Sequence, residues 1–364
     1  MSVFAGPTIS NDGLVFYYDI NNTEKSWKGK PTVNTCGFVD YTYGYNSTKI
    51  IGATPPVPPP IQATTVYKIT SSDGNDGQQI LYTAGVDQIN GGTYTHSAYV
   101  YLESGSWVSV GQHWNPWDYG TQQYIPLGRW IRVEDPVTND PNNYGNVALS
   151  YNTNGAVYVT ASQYEIGSFA TPFVLGTRSN TQAILDLTGR NTITAQNLSY
   201  SSDGTFSFDG TDDYIDITNN LGVFSQYTFS YWARRDAENR MPIGWRAGPT
   251  FYWYGDNSWY YTHGGVAGEY YYSKPTSIPL GTWGHYCVVY NGSNVSIYRQ
   301  GVFQGSKNTT GTADWTNGVR IGYWAGGGSY WYQGIIAQVS MHNRALSATE
   351  VLQNFNALRG RYGI

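Results

Sequence analysis

Residues 284–306, GHYCVVYNGSNVSIYRQGVFQGS, constrain the fold more than any other stretch of the chain. Positions 285–290 read as one strand, NGSN as a turn, 295–299 as the returning strand, and RQG as a second reversal before VFQG. Asn and Gly accept the positive φ that a tight hairpin requires. Strands recurring at this spacing between Gly and Asn turns predict a β-sandwich. Cys287 falls inside the alternation and reads as a small core residue.

Composition extends this to the whole chain. Charged residues are only 12% of the sequence, about half the usual ~25%. A chain poor in charge and rich in Tyr, Thr, Ser, Asn and Gly suits strands and polar turns rather than surface helices. Its 364 residues leave room for two domains. The net charge of −5, with no Lys/Arg run, argues against nucleic acid, which is held by clustered cations. Cys36 and Cys287, the only cysteines, form no CxxC pair, which argues against a disulfide scaffold or structural zinc. No apolar run approaches the ~18 residues of a membrane helix. MSVFAGPTIS lacks the regions of a secretory leader, so neither membrane insertion nor leader-driven secretion is expected.

One segment reads as helical, LSATEVLQNFNALRGR. Ser347 and Glu350 have the spacing of a capping box, and Val351, Leu352, Phe355 and Leu358 share a face, predicting a helix near 347–358. Two short echoes, IPLGRWIRV at 125–133 and IPLGTWGHYCVV at 278–289, each lead from a turn into a strand. GATPPVPPPIQ, 52–62, predicts an exposed extended loop. VEDPVTND, 133–140, carries Pro136 among turn residues and reads as a loop.

At this point the motifs resemble known families. The hairpin at 281–306, FSFDGTDDYIDI, YTFSYWARR and GIIAQVSMHNRALSATEV occur in the order of a laminin-G-like, concanavalin-A-type domain. Gln300 stands where that pattern has Asn before Gly301, and Ala337-Gln338 where it has Asp-Glu. Upstream, GGTYTHSAYVYL (91–102) and ASQYEIGSFATPFVLGTRSNT (161–181) resemble jelly-roll carbohydrate-binding modules of tailed-phage structural proteins. DGLVFYYDINNTEKSW (12–27) resembles the opening of laminin-G-like phage proteins, whose next piece arrives only as AILDLTGRNTITAQNL at 183–198. The resemblance implies an all-β chain of two β-sandwich (jelly-roll) domains with one C-terminal helix. A carbohydrate-binding-module-like jelly roll at 30–178 would be inserted into a laminin-G-like sandwich made of 1–29 and 179–364. Residues 1–28 as a free N-terminal arm are the alternative.

FDGTDDYIDI holds Asp209, Asp212, Asp213 and Asp216. Asp209-Gly210 predicts a turn entering a strand, with Asp216 alternating between Ile215 and Ile217. The resemblance also implies a calcium possibility, with Asp212 and Asp213 as candidate ligands. Calcium needs six to eight oxygens, so turn chemistry is the favoured reading, and no other cofactor is expected. The paired-carboxylate pattern of concanavalin-A-type glucanases is absent, and the five histidines show no metal or triad spacing. The chain is therefore expected not to be an enzyme.

Aromatic clusters carry the binding expectation. Trp114, Trp117 and Tyr119 lie in HWNPWDYG, Trp253 and Trp259 in FYWYGDNSWYY, and Trp324 and Trp331 in GYWAGGGSYWYQG. Exposed Trp and Tyr stack on sugar faces, but the same residues also build cores and subunit contacts. The resemblance implies a non-enzymatic structural protein of a tailed, cyanophage-like bacteriophage. Its expected partners are other virion proteins, further copies of itself and a host surface glycan. Assembly in the host cytoplasm would place it on the released virion, as a tail-fibre, neck or capsid-decoration component. A cellular or secreted carbohydrate-binding protein is the alternative, and a glycan hydrolase the third reading.

Overall fold

The computed structural model describes residues 8–34, 38–43, 47–61, 65–71, 78–83, 93–105, 107–112, 122–138, 147–151, 156–201, 205–217, 221–244, 249–253, 259–263, 270–273, 279–316, 319–324 and 330–364. It is all-β, with antiparallel sheets and one short C-terminal helix. Contacts divide it into two compact units, Met1–Lys30 with Ser179–Ile364, and Pro31–Arg178.

The first unit is a jelly roll of two antiparallel sheets. Its larger sheet runs Ser199–Tyr200, Phe206–Asp209, Gln333–His342, Tyr227–Arg235, Trp283–Tyr290, Asn294–Arg299 and Val302–Asn308, in that order. Leu14–Asp19 joins the central strand beyond Phe206–Asp209, with Tyr17 opposite Ser340 and Tyr18 opposite Val339. Phe16 and Tyr18 are fully buried and, with Val15, Ile20 and Trp27, enter a core otherwise built from residues 183–362. The smaller sheet runs Ile193–Gln196, Tyr214–Ile217, Val319–Ile321, Arg240–Gly244, Thr250–Trp253, Trp259–Thr262 and Tyr270–Ser273.

Alternation divides the larger sheet cleanly. Tyr286, Val288 and Tyr290 enter the main core, while Cys287 and Val289 pack with Leu346 and Val351 on the opposite side. That side is covered by the helix Ala348–Leu358, whose capping box is formed by Ser347 and Glu350 as its sequence predicts. Its buried face is Val351, Asn354, Phe355 and Leu358, not the expected set. Leu352 is 43% exposed, because it lies about 100° around the helix from Val351. Asn354 takes the buried place, its Oδ1 accepting the Ser10 amide at 2.7 Å. At the second hairpin, Gln300 and Gly301 have φ of 52° and 74°. Gln300 tolerates this left-handed position with help from its side chain, whose Oε1 accepts the His285 amide at 3.0 Å.

The second unit has two five-stranded sheets. One runs Trp130–Thr138, Thr93–Ser104, Ala156–Ile166, Tyr67–Ser71 and Ser47–Ile51. The other runs Phe38–Tyr43, Gln78–Thr83, Val147–Tyr151, Val108–Gln112 and Gln122–Gln123. Ile69, Val100, Leu102, Val157 and Val159 form the core. The loop expected at 133–140 is instead strand through Thr138. It ends the sheet order, and an edge strand tolerates the missing donor of Pro136.

The IPLG echo has a shared geometry. Gly128 and Gly281 both have φ of 74°, and their amides bond the carbonyls of Leu102 and Arg235 at 3.0 and 2.8 Å. Each acceptor lies at or near the end of the strand with which the next strand pairs. The proline-rich segment lies largely exposed, and its Val57 carbonyl accepts from Trp130 Nε1 at 2.8 Å. Glu165 and Thr171 of the QYEIGSFATP motif join a buried network in which Glu165 accepts from Thr32, Gln163 and Thr171. The unit's entering and leaving segments, Thr32–Val33 and Thr177–Arg178, pair with each other.

Candidate functional site

The outward phase of the smaller sheet in the first unit carries the chemistry. Ile215 and Ile217 point into the core, which leaves Tyr214 and Asp216 on the other face. Asp216 lies opposite Arg320 in register. The guanidinium clamps the carboxylate through Nε at 2.6 Å and Nη2 at 2.8 Å. This hydrogen-bonded pairing raises the Arg320 pKa. The guanidinium carbon sits 4.3 Å from the Tyr214 ring centroid and 5.8 Å from that of Tyr323, within cation–π range.

The chain leaves Val319–Ile321 at Gly322, φ 89°, where a Cβ would lie 2.4 Å from the Phe208 ring. Tyr323 and Trp324 then lie against Gly244, where a Cβ would meet the Tyr323 carbonyl oxygen at 2.2 Å. These two glycines let an aromatic ledge sit directly on the sheet. Trp331 stacks on Tyr323 with centroids 3.6 Å apart and planes 11° off parallel. Trp331 also approaches Tyr214 at 6.2 Å, and Trp324 approaches Tyr330 at 6.4 Å. Tyr330 is 40% exposed, and Tyr214, Tyr323, Trp324 and Trp331 are half-buried.

Trp324 and Trp331 are thus the expected residues that the fold brings together on a surface. Trp253 is corrected to a core residue. It shares the inward phase of Phe251 and packs on Tyr286 and the Arg235 guanidinium. Trp259 lies on a strand beside Trp253, but its side chain is outside the described residues. Trp114, Trp117 and Tyr119 are also outside them. Tyr214, Arg320 and Tyr323 were not singled out in the sequence. The outward phase beside Ile215 and Ile321 is the signal that finds the first two.

Asp209, Asp212 and Asp213 bring carboxylate oxygens within 4.8 Å of one another. The turn engages all three. Asp209 Oδ1 accepts the Thr211 amide at 2.7 Å, Asp213 Oδ2 the Asp209 amide at 2.6 Å, and Asp212 Oδ2 the Asn197 side chain at 2.9 Å. Asp213 is buried and its Oδ1 has no partner. Burial first, then the neighbouring Asp209 and Asp212 charges, push its pKa up to about 6. Ala337 and Gln338, which stand where the resembled pattern has Asp-Glu, are buried in the central strand. The hydrogen bonds of all three aspartates serve the turn that enters the strand Tyr214–Ile217.

Residues 209–352 match the family described as the concanavalin A-like lectin/glucanases superfamily. A comparison with curated proteins returns no match. Among solved structures, the chain is similar to domain 4 of AbnA, a GH43 extracellular arabinanase from Geobacillus stearothermophilus, in complex with arabinotriose. That likeness has 19% identity and a TM-score of 0.38, over 49% of this chain and 93% of that one. A heptameric SAP-like pentraxin from Limulus polyphemus gives 20% identity and a TM-score of 0.33, over 40% and 78%. A structure titled for the dependence of botulinum neurotoxin type C cell entry on two ganglioside molecules gives 12% and 0.39, over half of each chain. Likenesses this remote say nothing about which ligand this chain takes. Among the described residues, no helix is long and apolar enough to cross a membrane.

Proposed function

We propose that the chain is a non-catalytic glycan-binding protein displayed on the particle of a tailed bacteriophage. The observation that carries the binding reading is the ledge of Tyr214, Tyr323, Trp324, Tyr330 and Trp331 beside the Asp216–Arg320 pair. Partly exposed rings next to fixed donors and acceptors are what a sugar's C–H face and hydroxyls require. The motif order resembling phage structural proteins supports the virion setting, with other virion proteins and further copies of the chain as neighbours. Among the four aspartates of FDGTDDYIDI, Asp216 is clamped by Arg320 and Asp209, Asp212 and Asp213 each hold a bond of one turn, which favours a binding role over a hydrolytic one.

The test is Trp331→Ala in the full chain. The variant should keep the wild-type melting profile and lose most retention on immobilised host-surface polysaccharide, since stacking on one aromatic contributes about 1 kcal/mol or more. A folded variant that binds as well as wild type would sink the reading. Mass spectrometry of purified particles tests the virion setting, and absence of the chain from them would remove it.

A further inference from the structure

The ledge has a cation at its centre, and that cation is already committed. Arg320 meets Asp216 through Nε and Nη2, the same side-on fork that a ligand carboxylate would occupy. Tyr214 and Tyr323 flank the guanidinium at 4.3 and 5.8 Å, which restrains it from swinging toward another anion. Among the described residues, the surroundings add more negative than positive charge. Asp209 and Asp212 are exposed on the turn that leads into Tyr214. Arg240, on the strand that pairs with Val319–Ile321, points its Nη2 at Gln333 Oε1 at 3.4 Å. Among the described residues, the local charges are therefore Asp209, Asp212 and Asp216 against Arg320 and Arg240.

We propose that the ledge takes neutral saccharides and rejects carboxylate-bearing ones, uronic and sialic acids, with Asp216 setting that choice; this rests on the glycan reading above. Asp216 keeps lone pairs that accept hydrogen bonds from sugar hydroxyls, and Arg320 keeps N–H groups that donate to them. A neighbouring pair of hydroxyls is thus matched by one acceptor and one donor held rigid, while Trp331 supplies the apolar face. A uronate or sialate in the same pose brings a second carboxylate against Asp216, where like charges repel at short range. Asp209 and Asp212 then have a physical role besides turn building, which is to join Asp216 in making the rim unfavourable to anions.

The experiment uses the full chain and Asp216→Asn, with glucan, galactan and mannan as neutral probes and polygalacturonate and sialyllactose conjugates as acidic ones, all immobilised for interferometry. Asn is close in size to Asp, and melting curves check that the variant is folded. Wild type should bind at least one neutral probe in a Trp331-dependent way and neither acidic one. Asp216→Asn frees the guanidinium fork and should bind an acidic probe at least about tenfold more tightly than wild type, a gain erased by high salt. Trp331-dependent binding of wild type to acidic probes as tight as to neutral ones would overturn this proposal while leaving the glycan reading standing. A folded Asp216→Asn with no acidic gain would overturn the role of Asp216. Absence of binding to every probe by every folded form would remove the glycan reading and this proposal with it.

Discussion

Asp213 carries a cost that its three neighbours in FDGTDDYIDI do not. It is 1% exposed, its Oδ1 has no partner, and its pKa rises from 3.8 to about 6, mainly through burial. A carboxyl whose folded pKa exceeds its unfolded one binds its proton more tightly in the folded state. Its contribution to stability is therefore fully present below about pH 4 and lost as pH rises through about 6. Asp213→Asn removes this titration. The melting temperature of wild type should fall relative to the variant between about pH 4 and 7, and parallel curves over that window would refute the assignment. The same scale shows what was legible. Trp324 and Trp331 stand out in any reading of aromatic clusters, and so does Trp253, yet only the first two reach the surface. The difference lies in strand phase, since Trp253 shares the inward phase of buried Phe251, with Tyr252 between them on the other face. The Asp216–Arg320 clamp was not legible, because the two residues are 104 positions apart and only sheet register brings them together.

Among the elements, the helix Ala348–Leu358 shows how local chemistry is read and where that reading stops. The capping box is a short-range pattern, and it forms. Glu350 Oε2 accepts the Ser347 amide at 2.8 Å, and the Glu350 amide bonds Ser347 Oγ. Which residues the helix buries depends on what it meets, so Asn354 is buried with its amide oxygen on Ser10 while Leu352 stays outside. Pro136 is the opposite case, a breaker whose sequence predicts a loop but which sits within an edge strand. Ser347→Ala should cost about 1 kcal/mol. Glu350→Ala should cost more, since Glu350 also holds Arg344 at 2.5 Å and accepts from Ser10 Oγ. Arg344 first, then Ser347, hold the Glu350 pKa down to about 2. A depressed carboxylate stabilises above its ordinary 4.5 and loses that contribution as pH falls through about 2. The gap between wild type and Glu350→Ala should therefore close in acid. Urea titrations check both points, and a Glu350→Ala that is no less stable than Ser347→Ala would contradict this account.

For the whole molecule, the first unit is closed by two pieces of chain that the second unit separates in sequence. Trp27 bridges Ile184, the Lys28 amide bonds the Ala183 carbonyl at 2.8 Å, and the Leu185 amide bonds the Ser26 carbonyl at 2.8 Å. Asp186 adds the Tyr17 amide at 3.0 Å and its own loop from Thr188 to Asn191. The two ends at which the second unit leaves the first are thus held together by bonds that do not involve that unit. Replacing 31–178 by a short Gly-Ser linker should leave the first unit folded, melting in a single transition and keeping the ledge. Deleting 1–30 should have the opposite result, although the deleted segment is much shorter. That deletion removes Phe16 and Tyr18, both at 0% exposure, at about 1.5–3 kcal/mol each. It also strips one of the two pairing partners of 338–342 and leaves buried Asp186 without the Tyr17 amide. Losses of this sum approach the ~5–15 kcal/mol that holds a domain together. Calorimetry of the two truncations decides the matter. A first unit that folds without 1–30, or fails to fold without 31–178, would show that sequence continuity rather than these cross-chain bonds defines the domain.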